Sequence, residues 1–184
     1  MVEREKRTPP FAVDGFIRDL SSQSPINRMG AADNLGHVHP CTDRVIGDLL
    51  MALKDPYWGV RRYAAASLGK LKRANVEVID ALINGLSDSS WEVRACAATS
   101  LGELKKTSTE IIDSLLISCE DPIWIVRNKA IWALGNLRKA TPEIVNALKV
   151  GLEDNEFLVR READLSLFKI GERCIRSSDL ENKR

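Results

Sequence analysis

The chain has 184 residues, 44% hydrophobic and 29% charged, with 27 basic side chains against 26 acidic ones and a net charge of +1. That balance excludes the global basic field that draws a protein to nucleic acid. No apolar run approaches the ~18 residues a bilayer-spanning helix needs, so a membrane span is excluded as well. Aromatic residues make up only 5%, so the core has to come from Leu, Ile, Val and Ala.

Residues 1–8 are charged and lack the apolar segment of a secretion signal, and they are expected to be a flexible N-terminus. Cys41, Cys96, Cys119 and Cys174 form no CxxC pair. They are expected to be reduced thiols of a cytoplasmic protein.

The first predicted element is a lone helix over residues 9–21, with Val13, Phe16, Ile17 and Leu20 on one face, capping the N-terminal end. A repeat of 33 residues follows, with units starting near 22, 55, 88, 121 and 154. Asp55, Asp88, Asp121 and Asp154 hold one register, and Arg61, Arg94, Arg127 and Arg160 hold another. Ala64, Ala97, Ala130 and Ala163 follow, then Leu68, Leu101, Leu134 and Leu167. Arg28, Ala31, Leu35 and Gly36 are a weaker first copy.

Each unit reads as two helices. The first is predicted to start at its Asp, an N-cap, with Pro56 or Pro122 at the first helical position. The second starts after Thr42, Asn75, Ser108 or Thr141, all good N-caps, with Glu77, Glu110 and Glu143 in the first turn. Its inward face is predicted as Ile46, Leu49, Leu50 and Leu53, repeated as Ile79 to Leu86 and as Ile112 to Cys119. A helix pair cannot bury that face alone, so neighbouring pairs must stack. Lys149 and Asp164 replace apolar residues of earlier units and look like polar capping of the far end. The expectation is one all-α, right-handed α-solenoid domain over residues 9–174, with a polar tail at 175–184.

The run from Asp55 to Gly69, with copies at Asp88 to Gly102 and Asp121 to Gly135, resembles the HEAT-like repeat named after phycobilisome lyases. The likeness covers about residues 22–173. It implies an Asp–Arg ladder between units and second helices that line a concave face. It also implies a functional range from lyase subunits to assembly factors and plain scaffolds. Two enzyme branches fail on the residues. Deoxyhypusine hydroxylases need paired His-Glu motifs, whereas neither His37 nor His39 is followed by Glu. HEAT-like DNA glycosylases need a basic groove with aromatic and acidic residues, and no such constellation is present.

His37, His39 and Cys41 offer three alternating ligands where a structural metal site normally has four, so no metal or other cofactor is expected. Basic residues gather where first helices end (Lys70, Lys72, Arg73, Lys105, Lys106, Arg138, Lys139), which dipole complementation explains without a phosphate ligand. Trp58, Trp91, Trp124 and Phe157 share one column and read as packing between repeats.

Two surfaces are candidates for a partner. On the second helices Met51, Asn84, Ile117 and Val150 form an apolar-rich column beside Asp80 and Asp113. On the outer side, Ile123, Ile125, Trp132, Leu158 and Leu165 make a second patch, suited to a partner subunit, a homo- or heterodimer, or cover by the tail. No catalytic motif appears. The expected function is a non-catalytic protein-interaction scaffold. The alternative that the resemblance supplies is a bilin lyase or isomerase-type subunit, or a chaperone, acting on a phycobiliprotein. Nucleic-acid binding along the basic edge is the lesser alternative.

Overall fold

The computed structural model describes residues 8–171, and among them every regular element is an α-helix. The first helices of successive units are α2 (Pro25–Leu35), α4 (Trp58–Lys70), α6 (Trp91–Leu104), α8 (Trp124–Asn136) and α10 (Phe157–Lys169). The second helices are α3 (Asp43–Ala52), α5 (Val76–Gly85), α7 (Thr109–Ser118) and α9 (Pro142–Gly151), preceded by the lone α1 (Pro10–Asp19). The architecture is an all-α solenoid of two-helix repeats, and both sets of helix starts keep the 33-residue period of the sequence. Residues 1–7 and the predicted tail at 175–184 lie outside the described residues.

The second helices begin where the caps predict. Thr42, Asn75, Ser108 and Thr141 each accept the backbone N–H three residues on, at Val45, Val78, Ile111 and Ile144. The first helices begin two residues later than expected, and the reason is competition for the aspartate. Asp55 Oδ1 accepts the Tyr57 N–H at 2.8 Å in a turn ahead of the helix, as do Asp88, Asp121 and Asp154 for Ser90, Ile123 and Glu156. Tyr57, Ser90, Ile123 and Glu156 are the actual N-caps, and none caps with its side chain.

The chain divides into two compact units, Met1–Lys106 and Thr107–Arg184. In the first, α4 packs between α2 and α6, with α3 and α5 laid against them. Its core is Leu35, Val45, Leu49, Leu68, Val78, Leu82 and Leu101, all but inaccessible to water. Arg28 clamps Asp55 and Arg61 clamps Asp88 through paired Nε–Oδ2 and Nη2–Oδ1 bonds of 2.7 to 2.9 Å. In each arginine Nη1 is held by carbonyls at the start of its own repeat, such as Asp55 O for Arg61. These pairs are the ladder that the resemblance implies.

Helix spacing in this unit is set by two small residues. Ser67 Oγ donates to Ala32 O and Ser100 Oγ to Ala65 O, both at 2.8 Å and buried. Gly36 and Gly69 face those serines so closely that a Cβ on either would lie within 2.9 Å of the serine Cα. α1 has no fully buried residue; Val13, Phe16, Ile17 and Leu20 are half-buried, as suits a helix covered on one side.

In the second unit α8 packs on α10, and α7 and α9 lie against them around Ile111, Leu115, Ile131, Leu134, Ile144, Leu148 and Leu167. Arg127 clamps Asp154 in the same geometry, and Ser166 Oγ donates to Ile131 O at 3.1 Å beside Gly135.

The predicted inward face of the second helices is corrected by one position. Val45, Val78, Ile111 and Ile144 are fully buried, whereas Leu50, Ile83 and Leu116 are half-buried and reach toward the surface. Each second helix touches more than one neighbour, so its buried arc is wider than a single stripe.

Candidate functional site

The column predicted on the second helices is on the surface. In the first unit Met51 is 66% exposed, and Asp80 and Asn84 are exposed; in the second Ile117 is 75% and Val150 66% exposed, and Asp113 is exposed. Such large apolar side chains gain nothing from water, and each is held on a helix whose other face is locked into the core.

In the first unit, a hollow of about 180 Å³ lies beside Asn84, floored by Leu50, Leu53, Ala81 and Gly85 and edged by Lys54. One turn away Asp48 is half-buried, and its Oδ2 is buried without a hydrogen-bond partner among the described residues. In the second unit the corresponding hollow beside Val150 is about 660 Å³. Leu116, Cys119, Ile131, Ala147 and Gly151 line it, with Glu120, Glu143 and Glu153 around it and the Arg127–Asp154 pair at one end. Burial pushes the Cys119 thiol up to about 12, with Glu120 adding to the effect, so it is a neutral wall rather than a nucleophile. Sequence reading placed Cys119 in the core; the available signal was a short residue in a column otherwise filled by Leu20, Leu53, Leu86 and Leu152.

The outer patch is partly covered. Ile123, Ile125 and Trp132 are half-buried, Leu158 is 46% exposed and Leu165 44%. Lys169 Nζ lies 5.9 Å from the centre of the Trp132 ring and Asn128 donates to Leu158 O, so the patch has partners within its own unit. The aromatic column is less buried than expected. Trp91 and Trp124 are half-buried, while Trp58 and Phe157 are exposed.

The basic edge is partly neutralised: Lys70 pairs with Asp33 at 2.9 Å and Arg73 with Asp43 at 2.6 Å. Lys72, Lys105 and Arg138 sit at helix ends with φ of 52 to 53°, the left-handed region. His37 Nδ1 is 2.9 Å from Asp33 O, and no metal-holding group of three ligands occurs among the described residues. None of their helices is long and apolar enough to cross a membrane.

Residues 46–135 match the family model described as HEAT repeats. Repeat geometry and match agree. Residues 46–135 are HEAT-like repeats, and the solenoid they belong to is similar to proteins of the phycobilisome-lyase type. Among solved structures, this HEAT-like chain is similar to a chain of the CpcE–CpcF complex of phycocyanin lyase from Nostoc sp. PCC7120. The identity is 25% and the TM-score 0.67, over 85% of this chain and 98% of that one. YibA of E. coli is similar at 27% identity and TM-score 0.75, over 86% of this chain and 59% of that one. A designed armadillo repeat protein in complex with the peptide (KR)4 shares the fold at 17% identity and TM-score 0.62, over 87% and 82%. No curated protein matches. The HEAT-like frame accounts for the Asp–Arg pairs and the buried columns as repeat-stacking devices, which leaves the outward faces of the second helices for other work.

Proposed function

We propose that this protein is a non-catalytic interaction scaffold whose protein partner seats on the outward, concave-side face of the second helices. The observation that carries the reading is the exposure of Ile117 and Val150, one repeat apart on α7 and α9, beside a hollow with an apolar floor. Side chains fixed on packed helices lose little conformational entropy on binding, which favours recognition by a preformed surface. Asp113 lies on the same α7, and in the first unit Met51, Asp80 and Asn84 present similar chemistry on α3 and α5. The thiols of Cys41 and Cys119, not joined in disulfides, suit a cytoplasmic setting.

The test is affinity capture from lysate with the native chain beside an Ile117→Asp, Val150→Lys variant of matched helical melting curve. Capture of one protein that is lost with the variant supports the reading. Unchanged capture overturns it and moves attention to Ile123, Ile125, Trp132, Leu158 and Leu165.

A second reading is favoured by the likeness to the phycocyanin lyase complex, which spans nearly all of that chain. In it the protein is a subunit of a bilin lyase or isomerase, or a chaperone, for a phycobiliprotein. Incubation with bilin and a candidate phycobiliprotein would then shift the pigment absorption band. An unshifted spectrum, with and without a second repeat subunit, counts against it.

A further inference from the structure

The hollows beside Asn84 and Val150 occupy equivalent places, 66 residues apart, and three of the residues that line the smaller one differ in the larger. Leu53 becomes Cys119, Asn84 becomes Val150 and Lys54 becomes Glu120. The first shortens a side chain in the floor; the larger hollow, about 660 against about 180 Å³, also extends to Ile131, Glu143 and Glu153, whose counterparts do not line the smaller one. The second makes the wall apolar. The third reverses the charge at the rim.

Of the five charged residues that line the larger hollow, Arg127 and Asp154 are consumed by each other. Glu120, Glu143 and Glu153 are exposed, and among the described residues none has a cationic partner. Lys149, four residues before Glu153, makes no ion pair with it. Three uncompensated carboxylates thus surround an apolar floor in a chain whose total charge is +1. Like charges so placed repel one another and favour a cationic visitor, and a hydrophobic floor rewards a buried side chain.

We propose that the hollow between α7 and α9 seats one apolar anchor residue of a basic peptide segment, with flanking lysines or arginines paired to Glu120, Glu143 and Glu153. This rests on the interaction reading above and names the chemistry of the partner. The anchor lies over Cys119 and Ile131 against Val150, and its burial supplies affinity; the rim supplies orientation and salt dependence.

The test is titration of the full ¹⁵N-labelled chain, followed by amide NMR, with a synthetic nonapeptide carrying one central leucine flanked by lysines and arginines. Amide shifts confined to α7, α9 and the start of α10 are expected, saturating below millimolar peptide. Replacing the leucine by serine should weaken binding about tenfold. Cys119→Leu restores the residue that the same column carries at Leu53 and Leu86, so it keeps the fold, and it should weaken the leucine peptide about tenfold while leaving the serine peptide unchanged. Glu120→Gln with Glu143→Gln and Glu153→Gln, all on the surface, should remove most of the salt dependence.

The proposal is overturned if no amide moves at millimolar peptide. It is equally overturned if leucine and serine peptides bind alike, or if an acidic counterpart binds as well as the basic one. If lysate capture depends on Ile117 and Val150 while this peptide moves nothing, the interaction reading stands and the basic-peptide inference falls. If neither responds, both fall.

Discussion

Replacing Gly69 by Ala should destabilise the protein, although glycine-to-alanine changes in helices ordinarily do the opposite. A Cβ at Gly69 would lie 2.5 Å from Ser100 Oγ, 2.7 Å from its Cβ and 2.9 Å from its Cα. Rotating the serine moves Oγ but not the other two atoms. To restore ordinary contact near 3.4 Å to the serine Cβ, α4 and α6 must separate by about 0.7 Å at this point. That separation strains the Ser100–Ala65 hydrogen bond, which is buried and 2.8 Å long. Overpacking costs about 1–3 kcal/mol and a buried polar group left without its partner about 1–3 kcal/mol more. The alanine returns about 0.5–1 kcal/mol of helix propensity, leaving a net loss of roughly 1–5 kcal/mol. The control is Gly47→Ala in α3, where the new Cβ meets nothing within 4 Å and the change should stabilise by about 0.5–1 kcal/mol. Urea titrations followed by circular dichroism at 222 nm read both. The double variant Gly69→Ala, Ser100→Gly should be less destabilised than the sum of its singles. If Gly69→Ala matches Gly47→Ala in sign, the close approach of α4 and α6 does not limit packing and the reasoning fails.

Asp88→Asn should cost about 2–4 kcal/mol at neutral pH, because it leaves the guanidinium of Arg61 facing a neutral amide in a site only 14–15% exposed. Burial alone would raise the Asp88 carboxyl, but the Arg61 hydrogen bond and the Ser90 N–H outweigh it and hold it below the usual carboxylate range. A depressed folded value means stability that is full above about pH 4 and lost as pH falls through the folded value, so the gap between native and variant should close in acid urea titrations. Lys105→Gly should stabilise by about 0.5–1 kcal/mol, since the lysine holds φ of 53° at the end of α6; a loss would mean its side chain contributes more than its backbone costs. Asp48→Ala should stabilise by about 1–2 kcal/mol by removing a buried carboxylate oxygen without a partner, Ala being the residue of the same column at Ala81 and Ala147; an unchanged melting curve refutes it.

The repeat, its period and the second-helix starts were legible because each depends on local chemistry: an N-cap side chain reaches a backbone N–H three residues on, wherever the rest of the chain lies. The first-helix starts were not, because an aspartate before a proline satisfies the capping preference as well as it satisfies a neighbour's arginine. Only the partner Arg28 or Arg61, 27 residues back, decides between them. The buried column of Val45, Val78, Ile111 and Ile144 was missed for a related reason. Helical periodicity gives the direction of an apolar arc but not its width, and the width depends on how many neighbours a helix touches. Exposure of Met51, Ile117 and Val150 could be read from register, whereas the depth of the hollow beside Val150 could not. A cysteine in a leucine column is as compatible with a tighter core as with an opened floor, and the outcome depends on whether Ile131 moves up to fill the space.

That last case bears on where function is to be sought in a repeat protein. Positions that repeat from unit to unit are consumed by stacking: the aspartates and arginines in the ladder, Ser67 and Ser100 against Ala32 and Ala65, and the leucines in the core. A residue whose two faces are both engaged by neighbouring repeats has nothing left for a partner. The informative positions are those where the period is kept by the backbone and broken by the side chain. Three such breaks, at Cys119, Glu120 and Val150, fall on one hollow, where they shorten a side chain, reverse a charge and replace an amide by an apolar group. That they lie on one hollow, with Arg127 and Asp154 beside it still serving the ladder, makes this hollow the place to test for a partner.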